Sequence, residues 1–524
     1  MSTNAMATRD MSSPICVPDA LKFYVNRLSF SKNRVRLQAL SSTTATPNSQ
    51  VIVRLPSNTM VNLASLTMTG AVRASIRGAV ANDNKGVALP TNFDFSFIET
   101  LSLIANGGII TQPFINYKLL GNTLNDVYGN NAKNFSRNAL QGSLPTPLTA
   151  YANVAAAAGG TDDMYVPFAI NNWISATQTM APSYISTNLL GDLELRLTMT
   201  DTSILQTGDV RDGTNVAGLQ QDATWDIKNI NFYIETASIQ STMLDQAIAV
   251  KLAAGEPINV PFENVFSFSQ TNGGSTYNQR FSVSSQSVNK IIAVSQLQTD
   301  LDSSTQKKFI NGIPQALRRN SCGATQAQFS VNNQYSPNYQ INSDLVLGYN
   351  ADKAEGAYNS YNQQMSNGLV ETRAAMDVPD YDYDAQDKLT STTQMPFEYL
   401  GGGLLVDANG AVTGSIQPSS EQVVTDGAGT VVSKNGDQFW YPYKYKTGIK
   451  TYLDDKFVLA TSFDLDVCDK DRLVSGINTL GSNAQMFLNV VGDGAGGNAN
   501  VSTIFVLCTS MVQIYQGATL KIIQ

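Results

Sequence analysis

The stretch DLDVCDKD holds the residues of this sequence best suited to binding a metal ion, the aspartates Asp464, Asp466, Asp469 and Asp471. Carboxylate oxygens are ligands that Ca²⁺ prefers. The EF-hand spacing fails, because the sixth position holds no glycine, and Arg472 and Leu473 stand where further ligands would be needed. The pattern favours a strand that ends in an acidic turn, with a weak calcium site as the alternative.

A second acidic run, DVPDYDYDAQD, occupies 377–387 and contains the aspartates Asp377, Asp380, Asp382, Asp384 and Asp387. A solvated loop and a cation-binding contact both fit this composition. Because runs of like charge usually stay in solvent, we favour the loop.

The stretch GDGAGG at 492–497 matches the GxGxxG pattern of dinucleotide-binding proteins. A dinucleotide site needs a helix directly after the glycines, so that the helix N-terminus faces the pyrophosphate. Here the strand-like VSTIFVLCTS follows instead. We therefore predict a turn between two strands.

The sequence contains no histidine. Histidine is the usual general base and metal ligand near neutral pH, so its absence removes Ser–His–Asp and Cys–His catalysis, HExxH zinc sites and the non-haem iron triad. Neither a GxxxxGK[ST] loop nor a GxSxG elbow is present. Carboxylate or lysine chemistry stays open, but we expect no catalytic residue, no cofactor and no enzyme activity.

Charged residues make up only 15 % of the chain, and its net charge is −8. This charge argues against a protein that coats nucleic acid. The closest approaches to basic motifs are RVRLQAL (34–40) and LRRN (317–320), and neither forms a patch with interleaved aromatic residues. No run of eighteen apolar residues indicates a membrane helix, and the start has no apolar region of a secretory signal. We interpret four widely spaced cysteines as free thiols of a chain made in a reducing compartment: Cys16, Cys322, Cys468 and Cys508.

Alternating apolar and polar residues predict β-strands along most of the chain. GDLELRLTMT (191–200) is the clearest case, because Leu193, Leu195, Leu197 and Met199 fall on one face. ETLSLIANGGIITQ (99–112) predicts a hairpin that turns at Asn106–Gly107–Gly108. Other predicted strands include 34–40, 50–56, 63–70, 164–168, 225–239, 258–269, 280–297, 324–333, 456–467, 484–492 and 502–523.

Two segments show helical spacing. In 114–131 the apolar residues recur at Tyr117, Leu120 and Leu124, and 241–255 has a possible cap at its start and Gly255 at its end. The second helix divides the chain into two β-rich halves of about eight strands each, which suits two jelly rolls or two sandwiches.

The order of these segments resembles that of the double jelly-roll major capsid proteins of the virophage, polinton-like and related DNA-virus lineage. VPFAINNWISATQTMAPSYISTNLLGDLELRLTMTD (166–201) resembles the late part of the first jelly roll in that family. WDIKNINFYIETASI (225–239) is similar to the strand that closes it, and IFVLCTSMVQIYQGATLKI (504–522) to the final strand pair. The resemblance spans roughly 27–524.

The resemblance implies an all-β fold of two consecutive jelly-roll β-barrels with a few short helices and long loop insertions. The predicted divisions are an N-terminal arm at 1–26, a first jelly roll at 27–240, a bridging helix and linker at 241–257, and a second jelly roll at 258–524 with an insertion at about 343–450. We expect 132–163 to be an exposed loop.

The resemblance also implies a structural role. Three chains would form a homotrimeric, pseudo-hexameric capsomer of an icosahedral shell, made and assembled inside the host cell and located in the virion. The expected partners are the chain itself, neighbouring capsomers, penton proteins and minor capsid proteins, without sequence-specific nucleic acid; whether an internal membrane is also a partner is left open. The alternatives are a viral spike or secreted lectin-like β-sandwich, and a polysaccharide-acting enzyme with paired carboxylates.

Overall fold

The structure is a computed structural model of the 524-residue chain. It describes residues 30–76, 85–90, 93–111, 115–128, 165–181, 183–209, 223–239, 242–301, 309–310, 313–331, 334–335, 339–340, 403–406, 412–416, 456–463, 476–480, 485–492, 499–517 and 519–523. The predicted arm 1–26, the predicted loop 132–163 and most of the predicted insertion 343–450 lie outside the described residues.

The described residues of the first half form two main antiparallel sheets and one short strand pair. The sheets have the orders β1-β11-β3-β7, with β8 also on β3, and β2-β9-β5-β6; β10 pairs with β4. The strands are β1 (Phe30–Gln38), β2 (Gln50–Arg54), β3 (Met60–Ile76), β4 (Lys85–Ala88), β5 (Ile98–Ala105), β6 (Gly108–Thr111), β7 (Val166–Ile170), β8 (Tyr184–Ser186), β9 (Leu193–Met199), β10 (Gln206–Asp209) and β11 (Ala223–Ile239).

The second half repeats this architecture. Its main sheets have the orders β12-β24-β14-β22, with β25 on β24, and β13-β23-β17-β18, with β19 on β17; β15-β16 and β20-β21 are short pairs. The strands are β12 (Ile258–Asn272), β13 (Tyr277–Phe281), β14 (Val288–Leu297), β15 (Phe309–Ile310), β16 (Ile313–Pro314), β17 (Ala324–Val331), β18 (Gln334–Tyr335), β19 (Tyr339–Gln340), β20 (Gly403–Val406), β21 (Val412–Ile416), β22 (Leu459–Ser462), β23 (Met486–Gly492), β24 (Asn500–Tyr515) and β25 (Thr519–Ile523).

The two halves share one strand order. Each half has eight main strands, which are the members of its two four-strand orders, and we number them one to eight along the chain. In both halves the order across one sheet is then 1-8-3-6, and the order across the other sheet is 2-7-4-5. Two four-stranded sheets connected in this way form a jelly roll. The predicted fold class, an all-β chain with two consecutive jelly rolls, is confirmed. All strand pairings between described residues join strands of the same half.

Alternation along the strands builds the cores of both jelly rolls. The clearest predicted strand is β9, in which Leu193, Leu195, Leu197 and Met199 are each at most 1 % exposed. These side chains point between the two sheets, as successive residues of a strand point to opposite faces. The predicted hairpin is also confirmed, because β5 and β6 are joined at Asn106 and Gly107, both with positive φ (48° and 78°).

The helices in the described residues are mostly a single turn. The two longer ones are α2 (Tyr117–Tyr128) and α5 (Thr242–Ala253), as predicted. Gly255 ends α5 with φ +78°, and the amides of Gly255 and Glu256 donate to Leu252 and Lys251, a Schellman motif. The short helices are α1 (Phe93–Ser96), α3 (Ala176–Thr179), α4 (Thr187–Leu190) and α6 (Gln298–Leu301), with 3₁₀ turns at Thr202–Ile204 and Gln315–Leu317. No helix in the described ranges is long and apolar enough to cross a membrane.

Two predicted strands are each divided in the structure. The segment 502–523 forms β24, which ends at Tyr515, and β25, which begins at Thr519. The segment 280–297 is not a single strand, because β13 ends at Phe281 and β14 begins at Val288, and the two strands belong to different sheets. Serines cause the break: the Ser285 amide donates to Thr479 Oγ1 and the Ser287 amide to Ser285 Oγ, so these amides leave the strand ladder. The GDGAGG stretch lies between β23 and β24, so a strand follows it, as predicted.

Candidate functional site

The described residues contain no group of three or more acidic or cysteine side chains that could hold a metal ion. The candidate calcium ligands Asp464, Asp466, Asp469 and Asp471 lie outside the described residues, and so does the acidic run 377–387. Both interpretations therefore stay predictions.

Two of the four cysteines are described, and both are free thiols buried in the second jelly roll. Burial raises the pKa of Cys322 to about 12 and the pKa of Cys508 to about 12. A thiol needs a lowered pKa and exposure to act as a nucleophile. Cys322 and Cys508 are therefore packing residues.

Two carboxylates of the first jelly roll converge on one lysine at the start of α2. Lys118 Nζ lies 2.9 Å from Glu99 Oε2 and 3.8 Å from Asp201 Oδ1, and it donates to Thr200 Oγ1 at 2.7 Å. Asp201 also caps the turn Thr202–Ile204 by accepting from the Ser203 amide. The single positive charge of Lys118 offsets one of the two negative charges and attracts both carboxylates. These contacts fix α2 against the sheet, so this cluster is an anchor for α2.

A set of hydrogen bonds joins the first jelly roll to β12 of the second; we call it the inter-barrel joint. The Ser175 hydroxyl donates to the Glu263 carbonyl oxygen at 2.9 Å, and the Glu263 amide donates to Thr179 Oγ1 at 2.9 Å. The Ala181 amide donates to the Pro261 carbonyl oxygen at 3.0 Å, and the Ile115 amide donates to Ser267 Oγ at 3.2 Å. Most of these bonds use main-chain groups of β12, so they fix its position directly.

The sheet β12-β24-β14-β22 is buried on both faces at the joint. In β24, Ile504 and Val506 point into the second jelly roll, and Phe505 and Leu507 point the opposite way; none is more than 5 % exposed. The neighbouring side chains of β12 on that opposite face include Ser267, which is bonded to residue 115 of the first half. A strand that is buried on both faces has a continuous run of apolar residues, as IFVL at 504–507 does. The two jelly rolls therefore share one packed layer.

Ser175, at the centre of the joint, has an unusual backbone conformation. Its φ of 70° and ψ of −151° lie in a region that is almost exclusive to glycine. A non-glycine residue there costs about 1–3 kcal/mol and persists only where its surroundings hold it. The hydroxyl bond to Glu263 is one such restraint, since it requires a side chain that glycine lacks.

RVRLQAL contains no aromatic residue, but cations of the first jelly roll lie over tyrosine rings from other strands. The Arg34 guanidinium lies 5.4 Å from the centre of the Tyr233 ring, and Arg73 and Lys228 lie 4.8 Å and 4.4 Å from that of Tyr165. These tyrosines come from segments distant in sequence, which the β1-β11-β3 pairing places beside the cations. In the second basic motif, Arg318 pairs with Asp300 at 3.2 Å.

Sequence reasoning did not find the inter-barrel joint or the anchor at Lys118. Ser175 and Thr179 bond to main-chain atoms of β12, and main-chain partners leave no signature in the sequence. The apolar run in β24 was visible, but a single sequence does not say which face packs on the other jelly roll.

The fold and the joint together define a double jelly roll. No protein-family model matches the chain, and no curated protein matches it. Among solved structures it is similar to the PBCV-1 virus capsid, with 10 % identity, a TM-score of 0.50, and 94 % of this chain and 97 % of that chain covered. It is also similar to the Faustovirus major capsid protein (9 % identity, TM-score 0.47, 93 % and 91 % covered) and to a chain of the Sputnik virophage (9 %, 0.46, 94 % and 88 %). At this identity, the PBCV-1 likeness establishes the shared fold.

Proposed function

We propose that the chain is a major capsid protein, a structural and non-catalytic subunit of an icosahedral virus shell. The observation that carries this proposal is the repeat of one jelly-roll strand order in two halves that share a packed layer. Three such chains around a threefold axis would present six similar jelly rolls. A ring of that kind is a pseudo-hexagonal block that tiles flat facets.

The proposed partners are two further copies of the chain in a homotrimer, then neighbouring capsomers, penton proteins and minor capsid proteins. The proposed location is the capsid of the virion, after synthesis in the host cell. The low fraction of charged residues supports broad, polar contacts between subunits, which bridging waters can complete. An obligate trimer would bury more than ~2,000 Å² for each pair of subunits.

The proposed divisions of the chain are an arm at 1–26, jelly rolls at 27–240 and 258–524, and a connection at 241–257. The strand pairings within each half and the position of α5 support this division. The arm would order against neighbouring subunits. Deleting residues 2–19 would then leave the trimer intact but impair shell formation, whereas loss of folding in that deletion would contradict the proposal.

Light scattering after size-exclusion chromatography, with negative-stain microscopy of the same fractions, tests the proposal. The expected particle has three times the chain mass of 56.4 kDa and a hexagonal outline, or forms shells. A natively folded monomer at micromolar concentration would rule the capsomer out. Glycan binding by such a monomer would favour the lectin-like alternative instead.

A further inference from the structure

The outer face of the sheet β1-β11-β3-β7 carries an excess of positive charge. Its described side chains include two carboxylates, Asp226 and Glu235, against five cations. We call this surface the basic sheet face, and its cations are Lys32, Arg34, Arg36, Arg73 and Lys228. It extends along β11 from residue 226 to residue 235, about 30 Å at the rise of a strand. A chain of net charge −8 thus has one sheet face of opposite sign.

The two carboxylates of this face are already engaged. Glu235 Oε2 lies 2.8 Å from Lys32 Nζ, and Asp226 accepts from Arg73 at 3.0 Å and from the Tyr165 hydroxyl at 2.6 Å. Lys32 and Arg73 thus pair with the two carboxylates of this face. The other three cations are in excess.

Those three cations contact neutral groups. Arg36 donates to the amide oxygen of Asn231 at 2.7 and 3.0 Å, Arg34 lies over the Tyr233 ring, and Lys228 lies over the Tyr165 ring. All three side chains are exposed. Contacts of this kind hold the cations in place on the sheet. Glu235 also interacts with Arg34, and Asp226 with Lys228, but two carboxylates offset only two of the five positive charges, so the face keeps a net positive charge that attracts an anion.

The opposite charge is concentrated elsewhere in the same sequence. Residues 343–450 contain fourteen acidic and seven basic residues, so this segment holds a net charge of −7 out of the −8 of the chain. Its densest part is 377–387, which has five aspartates and no basic residue. Asp380, Asp382 and Asp384 alternate there with Tyr381 and Tyr383.

We propose that the basic sheet face binds the acidic segment 377–387 of a neighbouring copy of the chain. The inference rests on the proposed trimer, because a ring of alternating jelly rolls places the second jelly roll of one chain, which carries this segment, beside the first jelly roll of the next. Arginine donates to carboxylates in a bidentate geometry and stacks on aromatic rings, and the segment offers both groups. Exposed charge pairs are screened by salt, so the contact weakens as ionic strength rises.

A charge-swap experiment on the full chain tests this proposal. The Arg34→Glu/Arg36→Glu variant reverses the face, and the Asp380→Lys/Asp382→Lys/Asp384→Lys variant reverses the segment. Sedimentation at 50 mM and 500 mM NaCl measures the protein concentration at which half of the trimer has dissociated. We expect each variant to raise that concentration about tenfold or more at 50 mM, with a smaller effect at 500 mM. The variant with both sets of substitutions regains the wild-type value within about threefold.

Arg54→Glu/Arg280→Glu is the matched control, because both arginines are exposed on other sheets and the change in net charge is equal. An equal effect of the control, or no recovery in the combined variant, overturns the proposal. A wild-type trimer with salt-independent dissociation overturns it and leaves the capsid function standing, whereas a wild-type monomer removes both.

Two further readouts identify other occupants of the face. If Arg34→Glu/Arg36→Glu lowers the melting temperature of the diluted monomer and leaves trimer dissociation unchanged, the segment binds within its own chain and the proposal is wrong. If that variant loses binding to anionic phosphatidylserine vesicles or to duplex DNA and trimer dissociation is unchanged, the face belongs to that partner and the proposal is wrong.

Discussion

Ser175 and Glu263 lie in different jelly rolls, and the Ser175 hydroxyl donates a 2.9 Å hydrogen bond to the Glu263 carbonyl oxygen. The amide of Glu263 donates in turn to Thr179 Oγ1, so two residues of one turn hold both main-chain polar groups of Glu263. These two hydrogen bonds fix the position of one jelly roll relative to the other.

The joint predicts an inverted order of stability for two substitutions of Ser175. Both Ser175→Ala and Ser175→Gly remove a hydrogen bond worth about 0.5–1.5 kcal/mol. Only Ser175→Gly also relieves the backbone strain at φ 70°, which is worth about 1–3 kcal/mol. We therefore expect the glycine variant to melt at a higher temperature than the alanine variant in calorimetry. The usual order, with glycine about 0.5–1 kcal/mol less stable, would show that Ser175 is not strained.

At Gly121, in the middle of α2, we expect alanine to be less stable than glycine, which reverses the usual order of these residues in a helix. Helix propensity favours alanine over glycine by about 1 kcal/mol. A Cβ at Gly121 would overlap the ring and Cβ of Phe95, however, and backbone or core must shift to make room. We expect Gly121→Ala to destabilise the protein by about 1–3 kcal/mol in chemical denaturation, as overpacking does. Gly273→Ala is the control, because open space surrounds that position; equal stability of the two variants would contradict the expectation.

Replacing Lys118 should lower the stability of the protein more than replacing an exposed lysine does. Lys118→Met leaves Glu99 and Asp201 without their shared cation, and Lys118 is only 13 % exposed. We expect a loss of about 1–2 kcal/mol in the free energy of unfolding, below the 3–5 kcal/mol of a fully buried pair because both acids retain contact with water. Lys251→Met on the exposed side of α5 should change stability by less than about 0.5 kcal/mol. Similar losses for both would mean that the anchor contributes nothing.

The buried thiols predict a loss of stability in alkaline solution. Folding raises the pKa of Cys322 and Cys508 from 9.0 to about 12. Between these values the unfolded chain has released the thiol proton and the folded chain has kept it, so the free energy of unfolding falls as pH rises above 9. At pH 10 the loss is about 1.4 kcal/mol for each thiol. Urea titrations at pH 8 and pH 10 measure it, and the Cys322→Ala/Cys508→Ala variant should show a smaller difference between the two pH values. An unchanged difference would assign the effect to other groups.

Chelation of Ca²⁺ should leave the melting temperature of the protein unchanged. The aspartates of 464–471 lack the spacing of an EF-hand, and flexible acidic turns bind Ca²⁺ only at ~10⁻⁴–10⁻³ M. We expect Asp469→Asn/Asp471→Asn to melt within about 1 °C of the wild type, with or without EDTA. A large fall in melting temperature on EDTA addition that these substitutions abolish would reveal an ion site.

Local patterns in the sequence were sufficient for much of the fold. The alternation of β9, the turn at Asn106–Gly107 and the ends of α5 depend on residues close in sequence, and each was predicted. The break between β13 and β14 was missed because it depends on Ser285 bonding to Thr479, far along the chain.

The candidate surfaces were less accessible to sequence reasoning. Arg34 and Tyr233 meet only because β1 pairs with β11, about 200 residues later. The joint depends on main-chain atoms of β12. Main-chain atoms are the same in every residue type, so the sequence carries no signal of these bonds. Long-range pairing and main-chain partners, rather than weak propensities, therefore explain what the sequence did not predict.

The position of β24 in the shared layer also determines the order in which the chain can fold during translation. The first jelly roll has all its strands once residue 239 has left the ribosome, whereas β12 must wait for β24, about 240 residues later. At about 5–20 residues per second this interval lasts roughly 12–50 s. Throughout it, β12 presents an unpaired edge beside a completed first jelly roll, and unpaired edges recruit other strands. The nascent chain therefore has its greatest need of chaperones during synthesis of the second half.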